Sequence, residues 1–184
     1  MYARGLKRVL LQIPVLAERN ANPRPYKWTA KGEAILEKIH RARAALVTVD
    51  THAVELDVTT GPDVFATRST IRFTCGEPGS ETFVDFVGGA VLGISLNGVS
   101  LDPATHYSDS RVRLPGLAAQ NVAVVTATGR YTNTGEGLHR FVDPVDDEVY
   151  LYSQFETADA KRMFACFDQP DLKATFEVTV TAPA

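Results

Sequence analysis

The sequence predicts an all-β domain, on three observations. Past Val47 the apolar period drops to 2: Val54, Leu56 and Val58 alternate with Glu55, Asp57 and Thr59, the pattern of a half-buried strand. Similar short runs recur along the rest of the chain, separated by turn residues, which is the spacing of a sandwich or barrel. Only one stretch beyond residue 46 has helical composition. The amounts agree with a folded domain. In 184 residues, 45% are hydrophobic and 22% charged, which excludes a disordered or collagen-like chain. No apolar run approaches the roughly 18 residues that suggest a membrane span.

The net charge of −3 is a cancellation between two unlike parts. Residues 1–45 carry ten of the 19 basic and three of the 22 acidic residues, a net of +7, and the remainder carries −10. The boundary between domains is therefore placed at residues 44 and 45. Residues 1–44 read as a basic helical extension. Asn20-Ala21-Asn22-Pro23-Arg24-Pro25 forms an extended linker. After it Thr29 is positioned as an N-cap, and Ile35, Leu36, Ile39, Ala42 and Leu46 recur at helical spacing. Lys38, His40, Arg41 and Arg43 crowd the C-terminal end of that helix, where cations suit the macrodipole.

Residues 45–184 read as the β domain. Thr60-Gly61-Pro62-Asp63 is a turn, residues 70–74 and 82–87 give the next strands, and Ile94-Ser95-Leu96 runs into Asn97-Gly98, a strong hairpin signal. Residues 121–131 form a long strand rich in Val and Thr, closed by Thr132-Asn133-Thr134-Gly135. Leu151 and Tyr152 lie on another strand, and Phe176, Val178 and Val180 alternate with Glu177, Thr179 and Thr181 at the end, with Phe176 directed inward. Residues 157–167 are helical in composition, with Thr157 as N-cap, and Asp168-Gln169-Pro170 stops them. Asp159 and Arg162 stand i, i+3 and are expected to pair. A strand feeding a polar loop and one short helix inside a β domain is where chemistry is expected.

Local chemistry motifs are sparse. Cys75 and Cys166 are 91 positions apart and read as two reduced, buried thiols of a cytoplasmic protein. Gln12 and Pro14 interrupt the only signal-like stretch. His40, His52, His106 and His139 show no metal-ligand spacing, so no metal site is predicted in this chain. No phosphate-cradling glycine motif or nucleophile elbow is present. The acidic run Asp143-Pro144-Val145-Asp146-Asp147-Glu148 lacks the ligand spacing of a calcium loop and reads as a solvated hairpin tip. On these grounds alone the domain is a β binding or accessory module.

A longer pattern carries more. Tyr150-Leu151-Tyr152-Ser153-Gln154-Phe155-Glu156-Thr157-Ala158-Asp159-Ala160-Lys161-Arg162, followed by residues 167–176 (Phe-Asp-Gln-Pro-Asp-Leu-Lys-Ala-Thr-Phe), closely resembles the N-terminal domain of the aminopeptidase N family of zinc exopeptidases. Residues 134–143 resemble its actinobacterial branch. The resemblance implies a saddle-shaped, sandwich-like β domain of antiparallel and mixed strands whose Gln-x-Glu loop reaches a neighbouring catalytic domain. It implies that Glu156 binds the free α-ammonium of a peptide N-terminus, a charge-assisted contact, and that Gln154 lines the first specificity pocket. The plain alternative is that both satisfy the backbone of their own loop. The Asp168-x-Pro170 element is expected to be structural. The family's catalytic machinery, a Gly-Ala-Met-Glu-Asn loop and a zinc-binding His-Glu-x-x-His helix, follows this domain, and the chain ends at Ala184 before it. No catalytic residue is therefore assigned, zinc belongs to the full-length family enzyme, and the chain alone is expected to lack peptidase activity.

Residues 20–44 resemble the C-terminal tail of an insertion-sequence transposase, which implies a fusion near residue 45. Two further functions compete with substrate recognition. One is a non-enzymatic β module docking onto a separate catalytic chain. The other, nucleic-acid binding through the +7 segment, is opposed by the acidic domain beside it and is not expected. An uncovered docking face would promote self-association.

Overall fold

The computed structural model describes residues 46–156, 158–169 and 171–183. The basic extension, its linker and helix, the transposase-like stretch and the Thr157 cap lie outside the described residues. A six-stranded sheet carries the architecture, in the order β11-β1-β2-β8-β4-β5. Its members are β1 (Val47–Asp57), β2 (Val64–Cys75), β4 (Ala90–Leu96), β5 (Val99–Leu101), β8 (Gln120–Arg130) and β11 (Thr175–Thr181). All neighbours are antiparallel except β1 and β11, which run parallel. A second sheet of three strands, β3 (Thr82–Asp85), β7 (Arg111–Leu114) and β6 (Tyr107–Ser108), lies in the order β3-β7-β6. A separate hairpin joins β9 (Gly137–Val142) to β10 (Val149–Gln154). The domain is all-β and sandwich-like, in mixed and antiparallel sheets.

Alternation decides which face is buried. Along β2, Phe65, Thr67, Ser69, Ile71, Phe73 and Cys75 are buried while their neighbours are not, and β8 repeats this at Asn121, Ala123, Val125 and Ala127. Strand β1 changes parity midway: Val47 and Val49 are buried at its start, His52, Val54 and Leu56 further on. A register shift between Val49 and Thr51 accounts for it. One extra residue there keeps both halves of the strand on the buried face of the sheet, Val47 and Val49 in one core cluster and Val54 and Leu56 in another, because a one-residue slip otherwise turns every side chain over. The principal core gathers Ile71, Phe73, Ile94, Val125 and their neighbours from the large sheet with Val84, Phe86, Val112 and Leu114 from the small one. A second cluster, Val54, Leu56, Phe65, Leu138, Met163, Phe164 and Cys166, ties the large sheet to the hairpin and to the segment after it.

The hairpin signal at Asn97-Gly98 is realised between β4 and β5, both residues taking positive φ (52° and 82°) as a type I′ turn requires. Buried Asn121 fixes its position from the neighbouring strand. Its Oδ1 accepts from Asn97 Nδ2 (3.0 Å) and Ala118 N (2.9 Å), and its Nδ2 donates to Ala118 O (2.7 Å).

Three expectations need correction. Among the described part of residues 157–167 only a 3-10 turn, Ala160–Arg162, is helical. Met163, Phe164, Ala165 and Cys166 are four consecutive buried residues, and a helix on a sheet buries a stripe rather than a continuous run. Cys166 instead bridges to Asp85 of β3, with both backbone hydrogen bonds formed. A helix the composition did not suggest, α1 (Pro103–His106), opens on Asp102, whose side chain caps Ala104 N at 3.0 Å with Pro103 at the first position. Finally, Phe176 does not point into a closed core. It stacks on His52 (5.0 Å between ring centroids) yet is 52% exposed, because β11 is the edge of its sheet.

Candidate substrate-recognition site

The loop Gln154-Phe155-Glu156 leaves the end of β10. Strand order on the hairpin sets its position. The cross-strand pairs Tyr150↔Phe141, Tyr152↔His139 and Gln154↔Gly137 follow one another along one face. The first two are stacked, at 5.4 Å and 4.6 Å between ring centroids, so Gln154 ends a row of aromatic pairs. The tip of the hairpin is the acidic run 143–148. Backbone and side-chain bonds close it, Asp143 N to Glu148 O (2.9 Å), Val145 N to Asp143 Oδ1 (2.8 Å) and Glu148 N to Asp146 Oδ1 (2.9 Å). It is a hydrogen-bonded exposed turn.

Phe155 anchors the loop. Its ring meets Phe164 edge-on at 5.8 Å and joins the second core cluster, while Gln154 and Glu156 on either side are exposed. The Gln154 carboxamide oxygen turns back and accepts from the backbone N–H of Phe155 (2.8 Å) and Glu156 (3.2 Å). That contact presets the loop backbone, and it leaves the Glu156 carboxylate projecting into solvent. The 3-10 turn follows at once and is itself braced. Arg162 Nε donates to Asp159 Oδ1 at 2.7 Å, the expected i, i+3 pair. The Arg162 stem lies over Gly137, whose φ is +67°, and a Cβ there would stand 2.6 Å from Arg162 Cβ. Close approach of the turn to β9 therefore depends on a glycine, and the motif residues alone do not reveal this.

Asp168 closes the segment from behind. Its Oδ2 lies 3.2 Å from Lys161 Nζ and accepts from Lys161 N at 3.3 Å, and its side chain is only 8% exposed. Lys161 Nζ also donates to Ala158 O. Asp168 is thus a structural clamp on the segment that follows the loop. A cleft of about 510 Å³ lies on its other side, between the 3-10 turn and the small sheet, lined by Asp85, Asp109, Arg111, Lys161 and Asp168 among others. Neither Gln154 nor Glu156 borders it.

Burial, with Asp168 and Asp85 nearby, pushes the Cys166 thiol well above its ordinary range, so it stays protonated. Both cysteines are free and buried. His52 is pushed down to about 4 by burial, opposed by a hydrogen bond the ring donates to the Ala165 backbone, which favours its charged form, and it sits neutral between Phe164 and Phe176. Among the described residues no group of three or more His, Cys, Asp or Glu side chains is arranged to hold a metal ion, so zinc does not fit the side chains present. No described helix is long and apolar enough to cross a membrane.

The described residues thus form an all-β, sandwich-like domain that presents one ordered Gln-x-Glu loop at the end of β10. Residues 48–184 match the peptidase M1 N-terminal domain, and the chain belongs to that family. It is 54% identical over 146 residues to aminopeptidase N of Streptomyces lividans, across 78% of this chain and 17% of that protein. It is 48% identical over 54 residues to probable M1 family aminopeptidase 1 of Encephalitozoon cuniculi, 29% of this chain and 6% of the relative. Bovine aminopeptidase N is 26% identical over 139 residues, 65% of this chain and 14% of the relative. The chain spans less than a fifth of the length of each.

Proposed function

We propose that this chain is the substrate-recognition domain of a zinc aminopeptidase that removes N-terminal residues from peptides. The observation that carries the reading is the ordered loop at the end of β10, in which Phe155 is half-buried against the second core cluster and Glu156 projects from a backbone preset by Gln154. A carboxylate held this way gives an α-ammonium a charge-assisted hydrogen bond once a neighbouring domain excludes water around it. Gln154, with one amide oxygen engaged by the loop, has its NH₂ end to offer to the first side chain of the peptide. The 184-residue sequence contains no His-Glu-x-x-His, so cleavage belongs to a catalytic region, in zinc aminopeptidases the source of the metal that polarises the carbonyl. The domain starts near residue 45 and works in the cytoplasm.

A chimera tests the assignment. Residues 48–184 replace the matching segment of the Streptomyces lividans enzyme, and kcat/KM is measured on an aminoacyl fluorophore. The unaltered chimera is expected to keep activity, and Glu156→Gln to lower kcat/KM at least 100-fold, with Gln154→Ala changing the preference among first residues. Equal activity of the Glu156→Gln chimera would refute the role of Glu156. Activity restored by mixing the 184-residue chain with the catalytic region alone would favour docking onto a separate catalytic chain.

A further inference from the structure

His52 reaches the Gln154-Phe155-Glu156 loop through one intermediate ring. Its imidazole meets Phe164 edge-on at 5.2 Å between centroids, and Phe164 meets Phe155 edge-on at 5.8 Å. It also stacks on Phe176 at 5.0 Å. The ring donates a hydrogen bond to the Ala165 backbone, and since Nε2 has no partner among the described residues, the donor is Nδ1. Both contacts bear on one segment: His52 fixes Phe164 through its ring and through the backbone of the next residue. Phe164 N donates to Ala160 O at 3.1 Å, and Asp159 N donates to Phe155 O at 3.1 Å, so the same support runs through the 3-10 turn to the loop.

The neutral ring suits this place and the charged ring does not. A proton taken up at Nε2 adds a cation and an N–H donor at a residue only 3% exposed, where nothing described accepts from it. The charged and titratable groups around it do not compensate. His52, Phe155, Phe164 and Phe176 share the wall of a cleft of about 360 Å³, which Asp168, Lys173 and Cys166 also border. Asp168 is already held by Lys161 Nζ at 3.2 Å, Lys173 is a like charge, and the Cys166 thiol stays protonated. On β1 itself Asp50 and Glu55 are exposed. The register neighbour on β2 is buried Ile71, with exposed Arg72 on the opposite face, and on β11 it is Phe176, with Glu177 on the opposite face. The cleft is the space into which a charged ring can move toward water, and both Phe164 and Phe155 line it.

We infer that His52 is a proton-operated latch on the loop: neutral, it holds Phe164 and Phe155 in place, and on taking up a proton it leaves its site and releases them. Acid then regulates the proposed recognition site, and to that extent the inference rests on the role given to Glu156. With the ring hydrated in the open form His52 titrates at its ordinary 6.5, and in the closed form at about 4. Lowering the pH from 7.5 to 5 therefore raises the open share about 30-fold, and the latch is fully closed only above 6.5.

The test is hydrogen exchange on the whole chain at pH 7.5 and pH 5, each amide corrected for its intrinsic rate. The Asp159 and Phe164 amides are expected to be at least about 10-fold less protected than those of the central strands β2 and β8, because the latch opens without the sheet. Their protection is expected to fall about 30-fold at pH 5 in the wild type, and less than about three-fold in His52→Phe and His52→Gln, which fill the site without a titrating group. His52→Gln also keeps an N–H for the Ala165 carbonyl, should the larger ring disturb the packing. Equal protection of these two amides and the central strands would overturn the inference, because His52 would then open only with the whole core. So would a wild type whose protection does not fall, or a fall that persists in both variants and so belongs to carboxylates such as Asp159. Exchange reads the loop without substrate, so equal activity of the Glu156→Gln chimera would remove the peptide contact and leave the latch in place.

Discussion

His52 shows how one side chain sets a pH dependence. It is 3% exposed, its Nε2 has no hydrogen-bond partner, and burial lowers its pKa from 6.5 to about 4. Between those values the unfolded chain binds a proton that the folded chain does not. Stability is therefore fully present above pH 6.5 and falls as the pH drops toward 4, by up to about 3 kcal/mol from this residue. Urea melts at pH 7 and pH 4.5 are expected to differ by an amount that His52→Phe largely removes. An undiminished difference in the variant would assign the effect to other groups. Asp168 acts through a different cost. Removing it strands the half-buried Lys161 ammonium and frees Lys161 N, so Asp168→Ala is expected to destabilise the fold by about 2 kcal/mol in the same assay. Of these two residues the sequence marked Asp168 as structural from the motif it sits in. It gave no sign of His52, because a single His on an alternating strand looks the same whether its face is buried or wet.

Among the elements, the hairpin β9–β10 and the 3-10 turn depend on each other through Gly137. A Cβ at Gly137 meets Arg162, and its φ of +67° disfavours any side chain. Gly137→Ala is expected to cost about 2 kcal/mol and to displace the turn, seen as lost protection of the Arg162 and Met163 amides in hydrogen exchange. Retained protection would show that the turn stands without the hairpin. Asn121 plays the matching part for the β4–β5 hairpin. Asn121→Ala leaves Ala118 and Asn97 groups unsatisfied and is expected to cost about 2 kcal/mol in a thermal melt. Strands with period 2 and a turn such as Asn97-Gly98 were legible in sequence because the signal is local. The stretch after Phe155 has helical composition, since Ala, Lys, Arg and Met favour helix locally, yet among its described residues only Ala160–Arg162 forms a 3-10 turn. Four adjacent residues there bury themselves and the last, Cys166, bridges to Asp85 of β3, which local propensity does not register.

For the whole molecule, the exposed apolar strands are the dominant feature. Phe141, Val142, Val149, Tyr150, Leu151 and Tyr152 on the hairpin, with Phe176, Val178 and Val180 on β11, are each between 38% and 54% exposed. Surfaces of that kind mark interaction sites, and the hairpin row ends at Gln154, the first residue of the Gln154-Phe155-Glu156 loop. Purified 184-residue protein, with or without added zinc, is expected to release no fluorophore from an aminoacyl substrate. Chelator-sensitive release would contradict the proposal that cleavage belongs to another region.

The sequence alone determined the all-β class, most of the strands and the tight hairpin, since alternation and turn chemistry are properties of neighbouring residues, while Gln154 and Glu156 became candidates only through resemblance to a known family. Only the tertiary structure decided which face of β1 is buried across its bulge, that Gly137 must yield to Arg162, that Gln154 presets its own loop, and that β11 pairs parallel with β1 at the end of the described sheet. Each of these is set by what lies opposite in space, at separations along the chain that no local pattern encodes.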